Sequence, residues 1–123
     1  MYKGVLQHMD IINENEKEYR FGDWGPKYII KGPRMNMGII RLKPGQKLTP
    51  HFHKVMEENF YVEKGNVQLN VDGTVYNLKP GDVVRCEPNE VHALANVSSE
   101  EARVIFMLAP YMESDKFEVE DTK

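Results

Sequence analysis

The sequence predicts an all-β domain of the jelly-roll, barrel or sandwich class, and three observations point there. Nine glycines and seven prolines recur at short intervals along 123 residues, and the runs between them are short and rich in Val, Ile, Tyr and Phe. Residues 66–71 (N-V-Q-L-N-V) and 74–78 alternate polar and apolar on either side of Asp72-Gly73, a favoured two-residue hairpin turn. Helical composition is confined to residues 13–19 (N-E-N-E-K-E-Y), which are polar all round and too few to stand as a helix.

The elements follow in order. Strands are expected over 27–31 and 35–42, the second ending before Pro44-Gly45, and a segment through His51 and His53 reads as extended. A strand over 57–63 closes at Lys64-Gly65, and the hairpin 66–71/74–78 ends before Pro80-Gly81. Strands over 83–86 and 91–97 flank Pro88-Asn89, and the apolar run 102–108 completes the set before Pro110. In 35–42 the parity that turns Leu42 inward also turns Asn36 inward. Met35, Met37 and Ile39 then face outward, together with Phe106 and Leu108 on the last strand.

Composition excludes several function classes. Sixteen basic against nineteen acidic groups give a net charge of −3, without the basic excess of a general nucleic-acid binder. The longest apolar run, 104–109, falls far short of the roughly twenty residues of a membrane helix. Cys86 is the single cysteine and cannot form an internal disulfide. With no secretory leader over residues 1–10, a cytoplasmic location is expected. The acidic excess sits in residues 110–123, so the expected organisation is a barrel over 1–109 followed by an acidic C-terminal tail, solvated or loosely docked.

Four histidines occur: His8, His51, His53 and His92. Two apart in an extended segment, His51 and His53 leave one face and can converge on a single ion, although the same pair beside Lys54 also suits an exposed strand. Glu58 shares its face with Phe60 and Val62, where a carboxylate is costly unless paired or metal-bound. His92 opens a strand after the Pro-Asn turn. His8 has no ligand partner near it in sequence and is left out.

These residues carry a family resemblance. Gly45, five residues, His51, one, His53, four, Glu58, six, Gly65 matches the first motif of the cupin superfamily without a gap. Gly81, His92 and Asn96 match the second motif at its spacing, with Glu87 in the proline position and Asn89 in the glycine position. Asn is the next best residue where the backbone needs positive φ, so the turn is expected to survive.

The resemblance implies a double-stranded β-helix, the cupin jelly-roll barrel, with His51, His53, Glu58 and His92 as ligands of one divalent first-row metal. Fe, Mn, Ni, Cu and Zn are not distinguished by such a set. Phe60, Asn36 and Cys86 are the pocket candidates beside it, Cys86 as readily a buried structural thiol. No serine lies in a nucleophile elbow and no phosphate-cradling loop or dinucleotide fingerprint is present, so any chemistry is metal-centred. The implied function is a metal-dependent enzyme acting on a small oxygen-rich metabolite, dioxygenase-like or an isomerase or lyase. The alternative is a sensor or carrier that holds a small ligand without turnover.

Small cupins commonly pair as homodimers. An uncovered outer face of 35–42, with the apolar start Val5, Leu6, Met9, Ile11 and Ile12, would serve a second subunit, unless the chain covers that face itself.

Overall fold

The computed structural model describes residues 9–120. His8, Val5 and Leu6 lie outside the described residues. Among the described residues, ten strands form two five-stranded antiparallel sheets. One holds β1 (Gly25–Lys31), β2 (Asn36–Leu42), β4 (Glu57–Lys64), β7 (Val83–Cys86) and β9 (Ala102–Ala109), in the order β1-β2-β9-β4-β7. The other holds β3 (His51–Phe52), β5 (Val67–Val71), β6 (Thr74–Leu78), β8 (His92–Ala95) and β10 (Phe117–Glu118), in the order β10-β3-β8-β5-β6. Consecutive strands fall in different sheets at several crossings, which gives the double-stranded β-helix expected. Among the described residues, the helical composition of 13–19 yields one 3-10 turn, Glu14–Glu16, and no helix is long and apolar enough to cross a membrane.

Local chemistry accounts for the turns. Asp72 and Gly73 both take positive φ, 50° and 94°, the requirement of the tight hairpin that joins β5 to β6. Asn89 adopts φ 74°, so the asparagine at the motif's glycine position keeps the turn that leads to His92. The motif asparagine, Asn96, is buried and braces its loop, donating to the carbonyls of Leu42 (2.9 Å) and Glu100 (2.7 Å).

The core lies between the sheets and includes Leu42, Phe60, Val62, Leu69, Val104, Phe106 and Leu108. Phe106 and Leu108 therefore point inward, contrary to the outward placement expected of them. The β2–β9 register explains the correction: Gly38 opposes Phe106 and Asn36 opposes Leu108, and directly opposed residues share a face. Gly38 makes room for the ring, because a Cβ there would sit 2.5 Å from Phe106 Cζ and closer still to the Lys27 carbonyl oxygen. A Gly38→Ala variant should lose about 1–3 kcal/mol of stability through this overpacking, read from the urea midpoint. An unchanged midpoint would remove the steric role from Gly38.

The outer face of β2 is covered in part by the chain itself. Ile39 is buried, and its strand partner Lys27 lies beneath Glu14 (3.2 Å) with its ammonium 4.3 Å from the centre of the Tyr19 ring. Glu14 also pairs with Arg103 on β9. Ile30, Tyr61 and Val83 on the same sheet remain exposed.

The segment after residue 109 belongs to the barrel rather than trailing from it. Phe117 and Glu118 pair with Phe52 and His51, Phe117 stacks on Phe52 at 5.4 Å, and Asp115 is 5% exposed. Residues 110–120 are therefore docked on the barrel through Asp115 and β10, with Glu113, Glu118 and Glu120 left at the surface.

Candidate metal centre

Two sheets contribute to one cluster. His51 on β3 and His92 on β8 are register partners, so both rings leave the same face, and His53 follows two residues on. Glu58 reaches the cluster from β4 in the facing sheet, on the inward parity of Phe60 and Val62. All four side chains are largely buried, and their ligand atoms lie within 4.8 Å of one another.

The tautomers are set by the backbone. Nδ1 of His51, His53 and His92 lies 3.0, 2.6 and 2.9 Å from the carbonyl oxygens of Thr49, Asp115 and Glu90. A carbonyl can only accept, so each Nδ1 donates its hydrogen and, in the neutral ring, leaves Nε2 as a lone pair. These Nε2 atoms converge on one oxygen, Glu58 Oε1, at 3.4, 3.1 and 2.8 Å.

Three neutral Nε2 lone pairs and a carboxylate are all acceptors, and acceptors packed together need a cation or protons among them. The spacing suits a metal: ligands about 2.1 Å from a common ion in adjacent positions lie about 3 Å apart. The residues present therefore fit a first-row divalent ion, and the backbone carbonyls supply the outer-shell anchors such ligands need.

Electrostatics point the same way. Burial would raise the Glu58 carboxyl, but the three imidazoles outweigh it and hold the group well below the usual carboxylate range. Burial would lower His53, yet Glu58 and the Asp115 carbonyl carry it above the ordinary histidine value. Four acceptors packed this closely favour taking up a cation, whether a proton or a metal ion, and the two compete for the same lone pairs.

Asp115 anchors the His53 turn twice. Besides its carbonyl bond to the ring, its carboxylate accepts the backbone N–H groups of Lys54, Val55 and Met56, each at 2.9 Å. This anchor escaped the sequence reading, because nothing local to residue 115 signals a partner sixty residues earlier.

A cavity of about 230 Å³ opens on His51, His53 and Glu58. Arg20, Trp24, Tyr28, Phe106 and Lys116 are among the side chains that line it. Of the three pocket candidates from sequence, none lines this cavity. Asn36 turns its side-chain oxygen to the N–H of Gly32 (3.0 Å), and Phe60 packs in the core against His92 at 5.8 Å. Cys86 is a buried register partner of Glu58, its thiol pushed up to about 12 by burial first and by Glu58 and Glu90 after it. It is a structural thiol rather than a reactive one. The residues missed on the cavity wall, Arg20, Tyr28 and Lys116, stand outside the motifs; the only signal for Tyr28 was its parity on β1.

Comparison with known proteins agrees with this geometry. The Cupin domain family model matches residues 38–108. Among curated relatives, the chain is 32% identical over 74 residues to "Polyketide synthase CurC" of Streptomyces cyaneus, covering 60% of this chain and 48% of that protein. It is 36% identical over 61 residues to a 5-nitrosalicylic acid 1,2-dioxygenase of Bradyrhizobium, covering 50% of this chain and 29% of that one. The chain thus spans about half, or less, of the length of these two curated relatives. A double-stranded β-helix protein of Klebsiella pneumoniae superposes with a TM-score of 0.78 at 21% identity, over 93% of this chain and all of that one. With both motifs, both sheets and the family model in agreement over most of the barrel, the chain belongs to the cupin domain family.

Proposed function

We propose that the chain is a metal-dependent cupin whose cavity takes a small, flat, oxygen-rich molecule and turns it over, most simply by dioxygenase-like chemistry. The observation that carries this reading is the convergence of three backbone-pinned Nε2 atoms on Glu58 Oε1 at the floor of a cavity. His51, His53, Glu58 and His92 would hold the ion. A bound first-row metal supplies Lewis-acid or redox chemistry and accepts oxygen ligands beside its protein donors. The relative that acts on 5-nitrosalicylic acid and the polyketide synthase protein lend support to an oxygen-rich aromatic substrate.

The chain's own residues do the rest. Tyr28 places its ring edge-on to Phe106, centroids 5.0 Å apart, and lines the cavity beside Arg20. Burial, then the Glu58 carboxylate, push the phenol above its ordinary value against the opposing pull of Arg20. Tyr28 Oη therefore holds its proton at neutral pH and can give it to a substrate oxygen that gains negative charge.

The test is oxygen consumption by Fe(II)-loaded protein against a panel of phenolic acids, diketones and sugar acids. At least one should drive uptake, and Tyr28→Phe should lower kcat by roughly 10²-fold or more with little change in KM. Oxygen-independent turnover of a panel member would move the reaction to the isomerase or lyase class. Saturable binding with no turnover under Fe, Mn, Ni, Cu or Zn would make the protein a ligand-binding module instead.

A further inference from the structure

Beyond the metal ligands, the cavity is lined by three cations that no metal site requires, Arg20, Lys47 and Lys116, with Glu118 as the one further carboxylate among its lining residues; Arg20 and Lys116 are the pair that stand against each other. Arg20 arrives from the turn before β1, where its N–H bonds the Pro26 carbonyl (2.8 Å), and Lys116 arrives from the segment between Asp115 and β10. Both line the same cavity as His51, His53 and Glu58. They are near enough to repel: burial first, and Arg20 second, depress the Lys116 ammonium, with Glu118 and Glu58 opposing. Glu118 answers Lys116 at 3.7 Å. Arg20 has no carboxylate partner among the described residues and meets the Tyr28 hydroxyl instead.

Two cations held side by side on one cavity wall repel each other, a cost that an entering anion removes. Guanidinium suits a carboxylate because its planar fork matches two oxygens at once. The walls add flat apolar faces. Phe21 and Trp24 lie 4.7 Å apart at 36°, and Tyr28 meets Phe106 edge-on.

We propose that Arg20 and Lys116 recognise the carboxylate of a flat aromatic or conjugated acid, whose ring lies among Phe21, Trp24, Tyr28 and Phe106 and whose other end faces the Glu58 cluster. Only the direction of that far end rests on the proposed function. Carboxylate recognition itself needs no metal. Arg20, Phe21, Trp24, Tyr28 and Lys116 all lie outside residues 38–108, so most of the side chains that select the acid come from the segments flanking that span.

Trp24 is the single tryptophan of the sequence, so intrinsic fluorescence reports on this cavity. Benzoate and its neutral isostere benzamide would be titrated into metal-stripped wild type and an Arg20→Gln, Lys116→Gln variant. Benzoate should give a saturable change in the wild type at least about tenfold tighter than benzamide. In the variant benzoate should fall to the benzamide level, with benzamide unchanged. Equal binding of the two probes, no saturable benzoate response, or benzoate affinity that survives loss of both cations would each overturn the proposal. Should the double variant fail to fold, the two-probe comparison in the wild type decides alone. Metal content measured before stripping is a separate readout: wild type that holds no metal yet prefers benzoate contradicts the metal centre and supports the anion site.

Discussion

A Glu58→Gln variant should fold as the wild type does and no longer retain metal. The side chains have the same shape, and the carboxamide NH₂ can donate to an imidazole Nε2 where the carboxylate could only accept. Glu58 is 6% exposed and lies 2.8 to 3.4 Å from three ring nitrogens, so the swap replaces an acceptor that needs a cation by a neutral group that does not. Stability should hold or rise, since a buried charge is removed together with its need for compensation. Metal affinity should fall by more than the roughly 10–100-fold that loss of an outer-shell partner costs. Competition with a chromophoric chelator, alongside a thermal melt, reads both. Retained metal at wild-type affinity would show that Glu58 is not a ligand.

The second large effect is expected at Asp115. Replacing it with Ala strips three backbone N–H groups, those of Lys54, Val55 and Met56, of their acceptor, and Met56 is buried. Charge-assisted bonds of this kind to a carboxylate suggest a combined loss of about 2–4 kcal/mol. The carbonyl that holds His53 Nδ1 is the main-chain oxygen of the same residue; it survives the substitution, but the carboxylate clamp that fixes its position does not, so the ring should be held less firmly and metal affinity should drop about 10–100-fold. A pH signature separates this carboxylate from its neighbours. Burial would raise the Asp115 carboxyl, but the Met56, Lys54 and Val55 donors and nearby His53 outweigh it and hold it below the usual aspartate value. A depressed folded-state pKa contributes stability that is fully present above the unfolded value and lost as pH falls through the lowered one. Asp115→Ala should therefore unfold at lower denaturant at neutral pH and lose less than the wild type on acidification. Identical denaturant midpoints for the two proteins at pH 7 would dismiss the anchor.

Much of the fold was legible because its signals are local. The Asp72-Gly73 turn, the alternation on either side of it and the motif spacing around His51, His53 and Glu58 are each contained in a short window, and the structure follows them. What the sequence did not disclose depends on pairing across long separations. β3 and β10 have two residues each, too few to show a period. The inward turn of Phe106 follows from its register with Gly38, which no window around either residue contains. Asp115, read as part of a solvated or loosely docked tail, differs from the other tail acids only in the turn it meets. Arg20 and Lys116 converge on one cavity from opposite ends of the chain, and charge totals average such a pair away.

A metal ion held by His51, His53, Glu58 and His92 underlies everything proposed for the site, and elemental analysis of protein purified without a histidine tag tests for it most directly. The wild type should carry close to one first-row metal ion per chain, and a His51→Ala, His53→Ala variant of the same fold should carry almost none. Equally little metal in both would contradict the account and leave the cluster as a buried polar network of the barrel.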